Sequence, residues 1–195
     1  MRLFIGIPLS AEVIGEISAL VTRYRRREDG LRWATPETWH ITLQFLGDTG
    51  PDQYQCLLAR LGELRWPPVP VGLEDLGFFD RTGIFFAGVP VTPQLLGLQQ
   101  SVIAATSRCG FAPESRPFHP HITLARARGK NGGQGSESRG QGSEVRDRLG
   151  LAGIKRQIQR QPAFTRFTAA EFTLYESFLG PGGSRYEIHG RFPLE

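Results

Sequence analysis

The pattern of apolar and polar positions divides the chain into short strands and amphipathic helices. Residues 2–8 form a continuous apolar run that predicts a buried strand, and the apolar residues after Ser10 recur at helical spacing. Further strands are predicted at 39–45, 69–79, 84–89, 121–125, 164–178 and 185–192, and further helices at 51–64, 93–108 and 143–161. The order is strand, helix, strand, helix and two strands, followed by much the same series again.

One segment, residues 129–142, lacks both patterns. Six of its fourteen residues are glycine and almost all the others are polar, which is typical of a flexible loop. We expect this loop to lie within a single domain that spans residues 1–195, because that length suits one domain built from two small lobes.

The composition, with 39% hydrophobic and 22% charged residues, is that of an ordinary globular protein. The formal net charge is +4, and all of the basic residues except Lys130 and Lys155 are arginines. Guanidinium groups suit bidentate recognition of phosphates. An arginine-rich codon bias would give the same count, so both interpretations stay open.

The two cysteines, Cys56 and Cys109, form no C-x-x-C motif, so neither a disulfide framework nor a cysteine-based zinc site is predicted. We expect two reduced, buried thiols. The N-terminal apolar run is too short for a signal peptide, and no stretch approaches the ~20 apolar residues of a membrane span. These features predict a cytoplasmic protein without membrane contact.

The tetrapeptide His-Ile-Thr-Leu occurs twice, once in each half of the chain, beginning at His40 and at His121. Side chains alternate between the two faces of a strand, so His40 shares a face with Thr42, and His121 shares one with Thr123. A single copy is typical of a half-exposed strand. Two copies at corresponding places in a repeated layout predict a pseudo-twofold arrangement that brings both faces to one central cleft.

Two imidazoles in one cleft are suited to concerted proton transfer. Their ordinary pKa near ~6.5 allows one ring to be neutral and the other protonated at working pH, as a general base and a general acid require. The threonine hydroxyls would donate hydrogen bonds to a tetrahedral anion held between them, and a phosphate fits that description. No H-E-x-x-H motif, phosphate-binding Gly-rich loop or carboxylate set is present, so we expect neither a metal nor another cofactor.

These motifs make the sequence resemble the 2H phosphoesterases, and among them the RNA 2′,3′-cyclic phosphodiesterases once described as 2′-5′ RNA ligases. The matching segments are residues 1–8, 39–47, 85–89 and 118–126. The resemblance implies an α+β fold of two lobes, in which two antiparallel sheets surround a central cleft and the helices lie outside. It also implies a metal-independent reaction in which water opens a terminal 2′,3′-cyclic phosphate and leaves a 2′-phosphate.

The resemblance assigns a role to each motif residue. His40 is the expected proton donor to the leaving ribose oxygen, and His121 the acceptor that activates water. Thr42 and Thr123 are expected to hold the phosphate. The family often places an arginine such as Arg126 against the phosphate, but strict alternation puts this side chain on the opposite face from His121, so its use requires a bulge or the end of the strand.

Two departures from the family pattern bear on how the substrate is held. Gln44 stands where relatives often carry a basic residue, and the 129–142 loop is longer than the family usually needs. The remaining histidines are predicted to have simple roles: His119 could pair with His121 on a metal but lacks nearby carboxylates, and His189 is most simply a surface or sheet residue.

Three aromatic residues near the motifs, Trp39, Phe45 and Phe118, could stack on a nucleobase. We favour a core position for all three.

The expected partner is an RNA with a 2′,3′-cyclic phosphate end, or a cyclic nucleotide, bound by a monomer. Three alternatives stay open. The first is a 2′-5′ RNA ligase, and the second a phosphodiesterase acting on a small cyclic phosphate such as ADP-ribose 1″,2″-cyclic phosphate. The third is a non-catalytic module that binds RNA ends.

Overall fold

The computed structural model describes residues 1–26, 29–127, 153–155, 158, 164–180 and 183–195. Its helices include α1 (Ala11–Tyr24), α2 (Pro51–Gly62) and α3 (Pro93–Ser107), with a short 3₁₀ turn at Pro36–Thr38. The strands are β1 (Arg2–Pro8), β2 (Leu31–Trp33), β3 (His40–Asp48), β4 (Val69–Val71), β5 (Leu76–Phe79), β6 (Ile84–Gly88), β7 (His121–Ala127), β8 (Phe167–Ala169), β9 (Glu171–Gly180) and β10 (Gly183–Pro193).

The strands form two four-stranded antiparallel sheets. The first sheet has the order β10-β9-β1-β3 and the second the order β2-β7-β6-β5, while β4 and β8 pair separately. The two sheets approach each other at β3 and β7. This architecture is the α+β fold with two antiparallel sheets that the family resemblance implies, and it brings the two strands that begin with histidine close together.

The helices pack on the two sheets through their apolar faces. In α1, Ser10 caps the helix by accepting from the Val13 amide at 3.3 Å, and Tyr24 at its end meets Phe85 of the second sheet edge-on. The other two helices, α2 and α3, pack against each other and against β10 and β3 of the first sheet. None of the helices in the described part of the chain is long and apolar enough to span a membrane.

Most of the predicted elements are confirmed, with differences at the short ones. The apolar run at 69–79 splits into β4 and β5, which belong to different sheets. The three-residue strand β2 was not predicted, because so short an edge strand leaves almost no periodic signal. The Gly-rich segment 129–142 and most of the helix predicted at 143–161 lie outside the described residues.

The prediction of two reduced thiols is wrong, because Cys56 and Cys109 form a disulfide. Cys56 lies on α2 and Cys109 directly after α3, so the contact between these two helices brings residues 53 positions apart to a Cα–Cα separation of 5.7 Å. That separation is typical of a disulfide. The bridge therefore links the helix that follows β3 to the segment that leads into β7.

Candidate active site

Both motif histidines are the first residues of their strands, and each is held by a carbonyl two residues earlier. The Nδ1–H of His40 donates to the carbonyl oxygen of Thr38 at 2.8 Å, and the Nδ1–H of His121 donates to that of His119 at 2.8 Å. In the neutral rings these bonds place the proton on Nδ1 and leave Nε2 free to accept one. Both rings line the same cleft.

The His40 ring lies among aromatic side chains of the first sheet. Its centroid is 4.6 Å from that of Phe4, 5.2 Å from Tyr186 and 5.9 Å from Tyr175. The Thr42 hydroxyl donates to its Nε2 at 3.1 Å. Gly6 leaves room for this ring, since a Cβ there would come within 3.2 Å of the imidazole Cδ2. His40 therefore has a fixed orientation in a largely apolar enclosure.

This enclosure controls the protonation of His40. Burial, which penalises the charged ring, is the largest cause that lowers the pKa of His40 to about 4, and the positive charges of His121 and Arg126 lower it further. The Thr38 carbonyl opposes this effect. With this pKa, His40 is neutral at neutral pH.

His121 has a different set of neighbours. Phe79 and Phe86 of the β5–β6 hairpin approach its ring with centroid distances of 5.0 and 5.4 Å. Burial lowers the pKa of His121, as do the charges of His119 and Arg126, while the bond to the His119 carbonyl raises it. The His119 ring packs on the same two phenylalanines, while its carbonyl oxygen accepts from His121 Nδ1.

A β-bulge in β7 brings Arg126 into the cleft. Phe85 pairs with Ala125 but the next residue, Phe86, pairs with Thr123, so Leu124 is an extra residue in the ladder. Leu124 and Ala125 are consequently both buried, and Arg126 faces the same side as Thr123. Arg126 lines the cleft together with both histidines and both threonines, which places the five predicted site residues in one cavity.

The strand β3 carries a bulge at the same point of its motif. Ile5 pairs with Gln44 and Gly6 with Thr42, which leaves Leu43 as the extra residue. Gln44 is therefore only 4% exposed and accepts a hydrogen bond from the Thr106 hydroxyl at 2.8 Å. The expectation that Gln44 alters the hold on the substrate is wrong, because its side chain points into the interior beneath α3.

The same bulge turns Phe45 toward the cleft. Phe45 is 67% exposed and lines the cavity, so the prediction of a core position is wrong for this residue. It is confirmed for Trp39, which is 6% exposed, and for Phe118, which packs against the core. Phe45 and Arg126 occupy equivalent places after the two bulges.

Several residues of the cleft were not predicted. Arg32 and Trp33 come from β2, while Gly183, Ser184 and Tyr186 come from β10. No motif surrounds them in the sequence, and only the pairing of distant strands brings them to the cleft. His189, in contrast, lies outside it, with its Nε2 2.8 Å from Glu176 Oε2, in agreement with a sheet position.

Comparison with known proteins defines the class to which this site belongs. The family model described as the 2′-5′ RNA ligase superfamily matches residues 13–135, and the model described as LigT like phosphoesterase matches residues 88–186. The chain therefore belongs to the 2′-5′ RNA ligase superfamily.

Individual relatives resemble the chain over almost its whole length. It is 29% identical to the RNA 2′,3′-cyclic phosphodiesterase of Escherichia coli strain K12, over 99% of this chain and 96% of that one. It is 26% identical to the protein of the same name from Archaeoglobus fulgidus, over 96% and 97%. The crystal structure of E. coli LigT complexed with 3′-AMP superposes with a TM-score of 0.75 at 29% identity, covering 99% of this chain and 97% of that chain.

Proposed function

We propose that this protein hydrolyses the terminal 2′,3′-cyclic phosphodiester of RNA to a 2′-phosphomonoester, with two histidines as acid and base. The observation that carries the proposal is the pair of imidazoles, each with Nδ1 bonded to a carbonyl, in one cleft with two threonines and an arginine. Relatives named for this reaction match almost the whole chain.

In the proposed reaction a water oxygen attacks phosphorus while the bond from phosphorus to O3′ breaks. The Nε2 of His121 accepts a proton from the water, and the protonated Nε2 of His40 gives one to O3′, so the product keeps its phosphate on O2′. Thr42, Thr123 and Arg126 donate to the non-bridging oxygens, where negative charge is greatest. After turnover the two histidines exchange protons with solvent.

The pKa values of the empty cleft bear on this assignment, because the proposed acid must be protonated. The pKa of His40 is lowered partly by the charges of His121 and Arg126. A bound phosphate anion offsets both charges and raises the pKa of His40 again. We therefore expect His40 to become protonated when the substrate binds.

The cleft also fits a reaction that depends on fixed donors. None of the described residues that line it is a carboxylate, which is the ligand that Mg²⁺ and Ca²⁺ prefer. That the active form is a monomer stays a prediction. The cytoplasmic location stays a prediction.

The decisive experiment follows a short RNA with a 2′,3′-cyclic phosphate end by phosphorus NMR, with the protein in excess EDTA. Conversion to a 2′-phosphate by the wild type, and not by His40→Ala, supports the proposed reaction and its independence of metal. Adding an RNA with a 5′-hydroxyl end tests for ligation, which would appear as a 2′-5′ phosphodiester. An unchanged substrate with a folded protein would overturn the proposal and favour a binding module.

A further inference from the structure

Arg32 forms an unusual pair with Arg126 at the edge of the cleft. The two residues are direct cross-strand partners in the antiparallel pairing of β2 with β7, and both line the cavity. Cross-strand partners have Cα atoms about 4.5 to 5.5 Å apart, and like charges placed directly opposite each other destabilise a sheet. The two arginine side chains thus lie on the same face of the sheet and both line the cleft.

No carboxylate within the described part of the chain offsets this pair. The ion pairs found there involve neither Arg32 nor Arg126. Burial is the largest cause that lowers the pKa of Arg126, Tyr186 opposes this effect, and the charge of Arg32 lowers the pKa further. Like charges that face each other without an internal counter-charge among the described residues are typical of a site for an anionic ligand.

The first sheet helps to position Arg32. Gly183, at the start of β10, has a φ of +127°, and a Cβ there would lie 3.8 Å from the Arg32 Cδ. The aliphatic part of the Arg32 side chain therefore lies close to Gly183 of β10, the strand that also contributes Ser184 and Tyr186 to the cavity lining. Arg32 belongs to the second sheet but is supported by the first.

The number of negative charges on the substrate indicates different binding partners for Arg32 and Arg126. A 2′,3′-cyclic phosphodiester carries one negative charge and two non-bridging oxygens, for which Thr42, Thr123 and Arg126 already provide donors in the proposed reaction. Arg32 then has no partner in a substrate with a single phosphate. The last nucleotide of an RNA strand carries a second anionic phosphate, on the 5′ side of its ribose.

We propose that Arg32, beside Arg126, forms a second phosphate subsite that binds the phosphodiester on the 5′ side of the terminal nucleotide. This inference rests on the proposed function and specifies its substrate: an RNA strand rather than a mononucleoside cyclic phosphate. Arg32 is thus a specificity residue, which distinguishes a strand end from a free nucleotide by its second charge.

The test compares two substrates that differ only at the 5′ position. One is adenosine 2′,3′-cyclic phosphate with a 5′-hydroxyl, and the other bears a 5′-methylphosphate, which has the single charge of an internucleotide linkage. A charge-assisted hydrogen bond predicts that the wild type has a kcat/KM at least about 10-fold higher for the second substrate. In Arg32→Gln this ratio should fall close to 1, and Arg32→Lys should recover part of it.

The matched control is Arg108→Gln, since Arg108 is an exposed arginine at the end of α3 that does not line the cleft. It should keep the wild-type ratio. The proposal is overturned if the wild type shows no preference, or if Arg32→Gln slows both substrates equally, because Arg32 would then contact the cyclic phosphate itself.

A binding measurement keeps this test independent of turnover. Calorimetry compares adenosine 2′-phosphate with its 5′-methylphosphate derivative, for the wild type and for Arg32→Gln. The wild type should bind the derivative about 10-fold more tightly and the variant should not. If neither substrate is hydrolysed, the proposed function fails, while equal dissociation constants in the wild type would overturn the second subsite.

Discussion

The two strands that carry the His-Ile-Thr-Leu motif have the same backbone but different surroundings. In β3 and β7 the histidine begins the strand, its Nδ1–H donates to a carbonyl two residues earlier, and a bulge follows at the motif leucine. After the bulge, β3 presents Phe45 to the cleft and β7 presents Arg126. The repeated backbone therefore provides two equivalent positions, one occupied by an aromatic side chain and the other by a charged side chain.

The difference extends to the two imidazoles. His40 is enclosed by three aromatic rings of the first sheet and receives a hydrogen bond from Thr42. His121 packs against the β5–β6 hairpin, and the hydrogen bonds found among the described residues do not connect it to Thr123. The pKa of each ring is nevertheless lowered, with burial as the largest cause in both cases, so the two surroundings differ in packing and hydrogen bonding rather than in the direction of the pKa shift.

The largest effect is expected from removing either histidine. His40→Ala and His121→Ala should each lower kcat by at least about 100-fold, since each removes one proton transfer. Turnover of a dinucleotide with a 2′,3′-cyclic end measures the loss, and circular dichroism checks the fold. His189→Gln, outside the cleft, serves as the control and should retain activity. If one of the two alanine variants kept nearly wild-type turnover, that histidine would have no part in the proton transfers.

Substitution of Arg126, the residue after the β7 bulge, tests its expected contact with the phosphate. Arg126→Gln should lower kcat/KM by about 10- to 100-fold, because a charge-assisted hydrogen bond to the phosphate is lost. The comparison of kcat with KM shows whether the bond acts mainly in the transition state. A change below twofold would mean that Arg126 lines the cleft without touching the reacting phosphate.

Substitution of Phe45, the residue after the β3 bulge, tests its expected contact with the base. Stacking of a base on an aromatic side chain contributes about 1–3 kcal/mol, so Phe45→Ala should raise KM by about 10-fold or more while kcat changes little. Phe45→Trp should restore a low KM, because it retains an aromatic face. Equal KM values for Phe45→Ala and the wild type would show that the exposed ring does not contact the base.

The pH dependence distinguishes the two histidines from the groups around them. The pKa values of both rings lie below their ordinary range in the empty cleft, so the bell-shaped profile of kcat/KM, which reports the free enzyme, should have its alkaline limb below pH ~6.5. The profile of kcat should lie at higher pH, because the bound anion raises these pKa values.

Substitution of Arg126 tests the direction in which its charge shifts the pKa values of the two histidines. The charge of Arg126 lowers the pKa of both His40 and His121, so Arg126→Gln should move both limbs of the kcat/KM profile to higher pH. The cyclic phosphodiester has no group that titrates in this range. Limbs that stayed in place or moved to lower pH would contradict the proposed electrostatic arrangement.

The smallest effect on turnover is expected from the disulfide, although its effect on stability is large. Closing a loop of this length contributes about 4 kcal/mol in the chain-entropy model, and measured losses are typically about 2–4 kcal/mol. Cys56→Ala with Cys109→Ala should therefore lower Tm by several degrees. Neither cysteine lines the cleft, so kcat at 25 °C should stay within about twofold. The Tm of the wild type in dithiothreitol should equal that of the variant. If the Tm of the wild type were the same with and without reductant, the disulfide would not stabilise the protein.

The alternation of side chains along a strand was sufficient to predict that His40 and Thr42, or His121 and Thr123, share a face. Alternation was not sufficient for the residues after each motif, because nothing in the dipeptides Leu43-Gln44 and Leu124-Ala125 indicates the bulge that occurs there. For this reason the core position predicted for Phe45 was wrong.

The residues that complete the cleft depend on topology rather than on local pattern. Arg32 and Tyr186 lie on strands far from the motifs in sequence, and each reaches the cavity only because its own sheet places it there. The disulfide was missed for a similar reason, since its two cysteines meet only when α2 packs on α3.

The aromatic enclosure of His40 has a spectroscopic consequence. Ring currents from Phe4 and the two tyrosines act on the imidazole protons of His40, and the differently oriented Phe79 and Phe86 act on those of His121. The two histidines should therefore give separate proton resonances in solution. Each ring can then be titrated by its own signal, so that the two macroscopic limbs of a rate profile resolve into site-specific values.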